Sequence, residues 1–234
     1  MEAILLDIEG TTTPIDFVHQ TLFPFARRRM AEFVEENFSL LSGEIKSLKI
    51  EHEKDYAEEF YVKQFDQNAP ASIANYLKFL IDEDRKSTAL KSVQGKIWKA
   101  GYETGELKSE VFADVPRALA RWRKQGKTIA IYSSGSVLAQ KLIFRYTNCG
   151  DLTAFIAEYF DTYVGGKKET VSYQNIAAAL NFPAAEITFV SDVAAELDAA
   201  KAAGLKTILA MREGNAPLDG QTVHQSVKSF DEIE

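Results

Sequence analysis

At 234 residues, 46% hydrophobic and 26% charged, with a formal net charge of −7, the chain predicts a globular protein with a sizeable core and room for a small second lobe. The acidic balance argues against nucleic acid and anionic membrane as partners, because both reward clustered Lys and Arg. No stretch approaches the ~18 uninterrupted apolar residues of a spanning helix, and Met1-Glu2-Ala3 carries an acid where a signal peptide has basic residues, so the expectation is a cytoplasmic protein.

The chain opens on the apolar run Ala3-Ile4-Leu5-Leu6, which stops at Asp7. A buried strand here delivers Asp7 at its end with Glu9 on the same side of an extended backbone, and Gly10-Thr11-Thr12 then turns the chain. From about Ile15 to about Lys99 strand signal is nearly absent, and helix-prone stretches at Phe17 to Phe38, Glu51 to Phe65 and Ala71 to Arg85 predict an all-helical insert. Val18, Leu22, Phe25, Arg29 and Phe33 fall near helical spacing and read as packing, with Arg27-Arg28-Arg29 on a solvated face.

Beyond about Glu110 helices alternate with short apolar strands. Helices are predicted over Pro116 to Lys124, Ser136 to Arg145, Ser172 to Leu180 and Ala194 to Ala203, with strands over Lys127 to Tyr132, Ile187 to Val190 and Thr207 to Met211. This alternation implies right-handed crossovers and a mostly parallel sheet. Cys149 is the only cysteine, which excludes an intramolecular disulfide and a cysteine-built metal site; it reads as a small half-buried residue at a helix end. His19, His52 and His224 are scattered without His-Glu-x-x-His spacing, so a zinc hydrolase has little support.

In an open parallel sheet the ligand crevice lies outside the carboxyl ends of the strands. Those ends here carry Asp7 and Glu9, then Ser133, Ser134 and Gly135, then Ser191 and Asp192, while Gly165-Gly166-Lys167-Lys168 supplies lysines on a glycine-rich turn. Taken singly, each has an ordinary explanation: solvated strand-end acids, a turn with Ser134 or Ser136 capping the next helix, a surface lysine, an Asp192 cap. Their coincidence at successive strand ends fits a phosphate monoester. Asp7 would attack phosphorus, Glu9 would handle protons, Mg²⁺ would be shared by Asp7 and Asp192, the hydroxyl of Ser133 or Ser134 and free helix amides would bind phosphoryl oxygens, and Lys167 would neutralise the remaining charge.

Asp7-Ile8-Glu9-Gly10-Thr11-Thr12, Tyr132-Ser133-Ser134-Gly135-Ser136, Gly166-Lys167 and Ser191-Asp192-Val193 resemble the four motifs of the haloacid dehalogenase-like phosphatases, in order. The Asp-x-Glu form of the first motif narrows the match, which is similar to the enolase-phosphatase (acireductone synthase) family of methionine salvage. Gln94-Gly95-Lys96-Ile97-Trp98, Phe112-Ala113-Asp114-Val115-Pro116, Gln140-Lys141-Leu142-Ile143-Phe144 and Tyr159-Phe160-Asp161-Thr162 extend the likeness over nearly the whole chain.

The resemblance implies an α/β fold with a Rossmann-like parallel sheet core at 1–14 and 100–234 and an all-helical cap at 15–99, inserted after the first strand and closing over substrate. It also implies enolisation and then dephosphorylation of 2,3-diketo-5-methylthiopentyl-1-phosphate, giving the acireductone 1,2-dihydroxy-3-keto-5-methylthiopentene. Asp7 and Glu9 are the implied catalytic residues; Asp7, Asp192 and the main-chain carbonyl of Glu9 the implied Mg²⁺ ligands; Ser133, Ser134 and Lys167 the implied substrate contacts. The implied partner is a small phosphate ester, and the implied assembly a monomer. Two rivals remain: another capped magnesium-dependent phosphatase, and a response-regulator-like phospho-accepting module.

Overall fold

The computed structural model describes residues 2–61, 63–217 and 223–234. The chain forms two compact units, Met1–Val18 with Lys108–Glu234, and His19–Leu107. The divide falls beyond residues 14 and 99, since the last helix of the insert runs unbroken to Glu103 and the chain turns at Gly105 with φ +78°.

The unit His19–Leu107 is built from helices α1 (Phe23–Asn37), α2 (Ser42–Ala57), α3 (Pro70–Asp82) and α4 (Thr88–Glu103). Proline in the first turn of α3 costs no hydrogen bond there, and Ser87 caps α4 by accepting from the Leu90 amide at 3.2 Å. Phe25, Ala26, Met30 and Val34 form the buried stripe of α1. Arg29 and Phe33, expected in that stripe, lie at its margin, and Arg29 pairs with Glu32 and Glu106 instead. The helix expected over Glu51 to Phe65 is displaced to Ser42–Ala57, because the chain turns after Ala57, with Glu59 in the left-handed region at φ +59°. Tyr76 is fully buried, donates to Asp55 Oδ2 at 2.7 Å, and packs with His52, Tyr61, Phe65 and Phe79. These aromatics are core material.

The other unit carries a six-stranded parallel sheet: β1 (Ala3–Leu6), β2 (Thr128–Tyr132), β3 (Glu158–Phe160), β4 (Ile187–Ser191), β5 (Lys206–Ala210) and β6 (Gln225–Val227), in the order β3-β2-β1-β4-β5-β6. Its helices are α5 (Val115–Lys124), α6 (Val137–Arg145), α7 (Thr170–Leu180) and α8 (Ala194–Ala202). β1 is central and buried throughout, which explains its unbroken apolar run. Leu6 pairs with Ile131 of β2 and Val190 of β4, so the residues after these strands emerge side by side where the strand order reverses. Leu5, Tyr132, Tyr173, Phe189, Leu197 and Leu209 build one core cluster of this unit. Cys149, expected half-buried, is exposed, its amide donating to Thr147 Oγ1 at 3.0 Å. Among the described residues no helix is long and apolar enough to cross a membrane.

Candidate active site

Asp7 is the first residue past β1, and its amide still donates to Val190 O at 3.0 Å, so the sheet itself fixes where its side chain begins. The side chain is buried. Oδ1 accepts from the Ile8 amide at 2.8 Å and lies 2.7 Å from Lys167 Nζ. The amides of Thr11, Thr12 and Thr13 all donate to Ile8 O, winding 8–13 into a tight turn with Glu9 half-buried at its head and bridged to Thr13. The Thr12 hydroxyl seals the turn on the main-chain oxygens of Asp7 and Ile8.

Lys167 enters the site, whereas Lys168 is exposed. The lysine loop is held at three successive carbonyls by three hydroxyls. Tyr132 donates to Gly165 O at 2.9 Å, Ser172 to Gly166 O at 2.8 Å and Tyr173 to Lys167 O at 2.6 Å. Lys167 Nζ also lies 2.7 Å from Glu196 Oε2. Burial opposes a charged ammonium there, but Asp7 and Glu196 outweigh it and raise the lysine above its ordinary value. Burial, then the Asp7 charge, push the Glu196 carboxyl up. The Ser191 hydroxyl lies 3.0 Å from Glu196 Oε2 and 3.3 Å from Asp7 Oδ2 and accepts from the Val193 amide at 3.1 Å.

Asp192 follows β4. It does not cap α8, whose N-cap is Val193 without a side-chain bond. Burial and then Asp7 push its carboxyl up to about 7. Gly10 faces it with φ +67°, and a Cβ on Gly10 would fall 2.6 Å from Asp192 Cγ and closer still to Oδ2, so only glycine admits this approach. Asp7, Asp192 and Glu196 thus share one rim with one engaged ammonium. That excess of negative charge on hard oxygen donors fits a divalent cation. Among the described residues no three His, Cys, Asp or Glu side chains form a ready-made cage; a pair of carboxylates completed by main-chain oxygen and water is how Mg²⁺ is usually held.

Ser133 and Ser134 stand at the end of β2, half-buried and exposed respectively. Ser133 Oγ accepts from the Gly135 amide at 3.2 Å, and Ser136, not Ser134, caps α6 by accepting from the Ala139 amide at 3.3 Å. Gln140 Nε2 donates to Gly135 O and Phe160 O, both at 2.8 Å, and steadies this loop. All the expected residues therefore reach the carboxyl-end edge of one sheet. Glu196 and Asn215 were missed. Asp192 and Glu196 are spaced i, i+4, a visible signal, since that spacing puts Glu196 in the first turn of the next helix. Asn215, which donates through Nδ2 to Gly10 O at 2.9 Å, carries no local signal because it comes from the distant loop after β5.

Residues 1–204 match the family model of the haloacid dehalogenase-like hydrolases. The chain is 48% identical to the enolase-phosphatase E1 of Synechococcus elongatus, over 98% of this chain and 96% of that protein. It is 47% identical to the enolase-phosphatase E1 of Leptospira borgpetersenii, over 98% and 97%. The crystal structure of the UTR4 protein of Saccharomyces cerevisiae is similar with a TM-score of 0.81 and 35% identity over 99% of both chains. That of CbbY from Rhodobacter sphaeroides shares the fold, with a TM-score of 0.61 and 16% identity over 100% of this chain and 96% of the other.

Proposed function

The chain belongs to the enolase-phosphatase family of haloacid dehalogenase-like hydrolases, and from that premise we propose that it makes the acireductone of methionine salvage, by enolising and then dephosphorylating 2,3-diketo-5-methylthiopentyl-1-phosphate. It is a phosphoric monoester hydrolase acting on a small phosphate ester. The observation that carries the residue-level reading is the convergence of Asp7, Lys167, Glu196 and Asp192 at one end of a parallel sheet, with Gly10 giving Asp192 access to the turn behind Glu9.

Asp7 is the proposed nucleophile. Its Oδ1 accepts from the Ile8 amide and faces Lys167, and Oδ2, 3.3 Å from the Ser191 hydroxyl, is the oxygen proposed to form the bond to phosphorus as the ester P–O bond breaks. Glu9 gives its proton to the departing alkoxide. It then takes one from the water whose oxygen attacks phosphorus, releasing phosphate and restoring the Asp7 carboxylate. Lys167 stays protonated, and the Ser133 or Ser134 hydroxyl and the amides opening α6 bind the phosphoryl oxygens. In the preceding enolisation Glu9, as the carboxylate, removes the proton from the carbon beside the diketone, a reach its extra methylene over aspartate allows; this is the proton it gives the alkoxide, and the one it takes from water passes to the enolate oxygen, which completes the enediol and restores the Glu9 carboxylate. Mg²⁺, the usual cofactor of the family, would be held by Asp7, Asp192 and the main-chain carbonyl of Glu9, and when bound it neutralises charge between nucleophile and phosphate. We read the protein as a cytoplasmic monomer without a nucleic-acid or membrane partner.

The test incubates the purified chain with the diketo phosphate ester, with and without Mg²⁺, following phosphate and the ultraviolet absorbance of the enol product together. Both signals should require metal. Phosphate release without an enol species at any stage would instead identify an ordinary phosphatase of the same fold.

A further inference from the structure

The loop after β5 returns to the first-motif turn through Asn215. Its Nδ2 donates to Gly10 O at 2.9 Å and to Ala210 O at 3.3 Å, which fixes the amide orientation, because the reverse would set Oδ1 against two carbonyls. Oδ1 is left buried with no donor from the described residues. It lies 3.1 Å from the point a Gly10 Cβ would occupy, the same point that crowds Asp192 Cγ and Oδ2. A buried acceptor without a donor is costly and rare, so one that persists beside a functional carboxylate calls for a partner the chain does not provide. Lys167, the ammonium of this rim, is engaged on Asp7 and Glu196, and a carboxylate that holds a cation has no proton to give.

We propose that Asn215 is a positioning residue of the cation site: Nδ2 pins the Gly10 turn, and Oδ1 accepts a hydrogen bond from a water of the hydrated Mg²⁺ beside Asp192. The inference rests on the metal reading above. Mg²⁺ gives up its waters reluctantly, and those waters need acceptors in the outer shell, whose loss weakens metal binding.

Calorimetric titration of Mg²⁺ into the full chain, without substrate, provides the test, comparing wild type with Asn215→Ala and Asn215→Asp. Asn215→Ala removes both functions and should weaken Mg²⁺ binding by ~10–100-fold, the usual cost of losing an outer-shell partner. Asn215→Asp keeps an acceptor but loses the donor to Gly10 O, so it should lose less affinity than Asn215→Ala even if its metal-free melting temperature falls as far. A loss below about tenfold in Asn215→Ala would overturn the proposal, and so would weaker binding by Asn215→Asp than by Asn215→Ala. Should Asn215→Ala not fold, Asn215→Asp binding Mg²⁺ within about tenfold of wild type supports the proposal, and a larger loss overturns it. Wild type failing to bind Mg²⁺ saturably would remove the metal reading itself, and this inference with it, whereas intact wild-type binding with an unaffected Asn215→Ala removes the inference alone.

Discussion

Lys167 Nζ stands 2.7 Å from Glu196 Oε2, as close as it stands to Asp7 Oδ1. One ammonium is therefore divided between the proposed nucleophile and an acid in the first turn of α8, so Glu196 tempers how tightly Lys167 grips Asp7. Lys167→Met removes the positive charge at the phosphoryl site and should lower kcat by on the order of 10²–10³-fold, the scale of losing one preorganised electrostatic group. Glu196→Gln, which keeps a hydrogen-bonding partner for Ser191, should lower kcat less. Steady-state phosphate release checks both, and equal activity in Lys167→Met would remove Lys167 from the site.

Gly10→Ala places a methyl group against Asp192 in a backbone conformation with φ +67°. The expected outcome is loss of Mg²⁺-dependent phosphate release in a folded protein destabilised by roughly 1 kcal/mol or somewhat more. Circular dichroism melts and the release assay together separate the two effects.

Asp192 gives the pH dependence. In the metal-free protein its carboxyl titrates at about 7 against an ordinary 3.8, so between those values the folded state holds a proton that the unfolded chain has released. This group's contribution to stability is therefore full below 3.8, declines as pH rises, and is gone above 7. Mg²⁺ competes with that proton, so its apparent affinity should rise with pH and level off above about 7. Mg²⁺ titrations on both sides of that midpoint check the sign: affinity independent of pH across it would show that Asp192 is not a ligand.

Arg212 anchors the first-motif turn from behind. Its Nε donates to Thr11 O at 2.9 Å, one terminal nitrogen pairs with Asp114 Oδ2 at 2.7 Å, and the guanidinium lies 4.6 and 4.3 Å from the ring centres of Phe112 and Phe230. Arg212→Met leaves Asp114 a buried, unpaired charge, and should cost about 3–5 kcal/mol, with activity falling as the turn loosens. Arg212→Lys should rescue little, because an ammonium cannot reproduce the planar fork or the stacking. Denaturant midpoints for the two variants measure this.

The strand-end residues were legible because a parallel sheet converts sequence position into spatial position: Asp7 and Ser133 directly follow an apolar run, and Asp192 follows one after Ser191. The central strands were legible for the same reason. β3 and β6 were not, being three-residue edge strands with exposed or mixed side chains and no readable period. The second helix of the insert was misplaced because charged, helix-prone residues continue past Ala57, and what ends the helix is the turn at Glu59 rather than a proline or glycine. Asn215 and Arg212 lie some 200 residues from the turn they hold, a relation that only the fold creates.

The most direct test of the account is acid-quenching the enzyme during turnover and locating any acid-stable phosphoryl adduct by peptide mass spectrometry. A phosphoryl group is expected on the peptide carrying Asp7 and none in Asp7→Asn, which should also release no phosphate. Phosphate release by Asp7→Asn, or an adduct on any other residue, would contradict it.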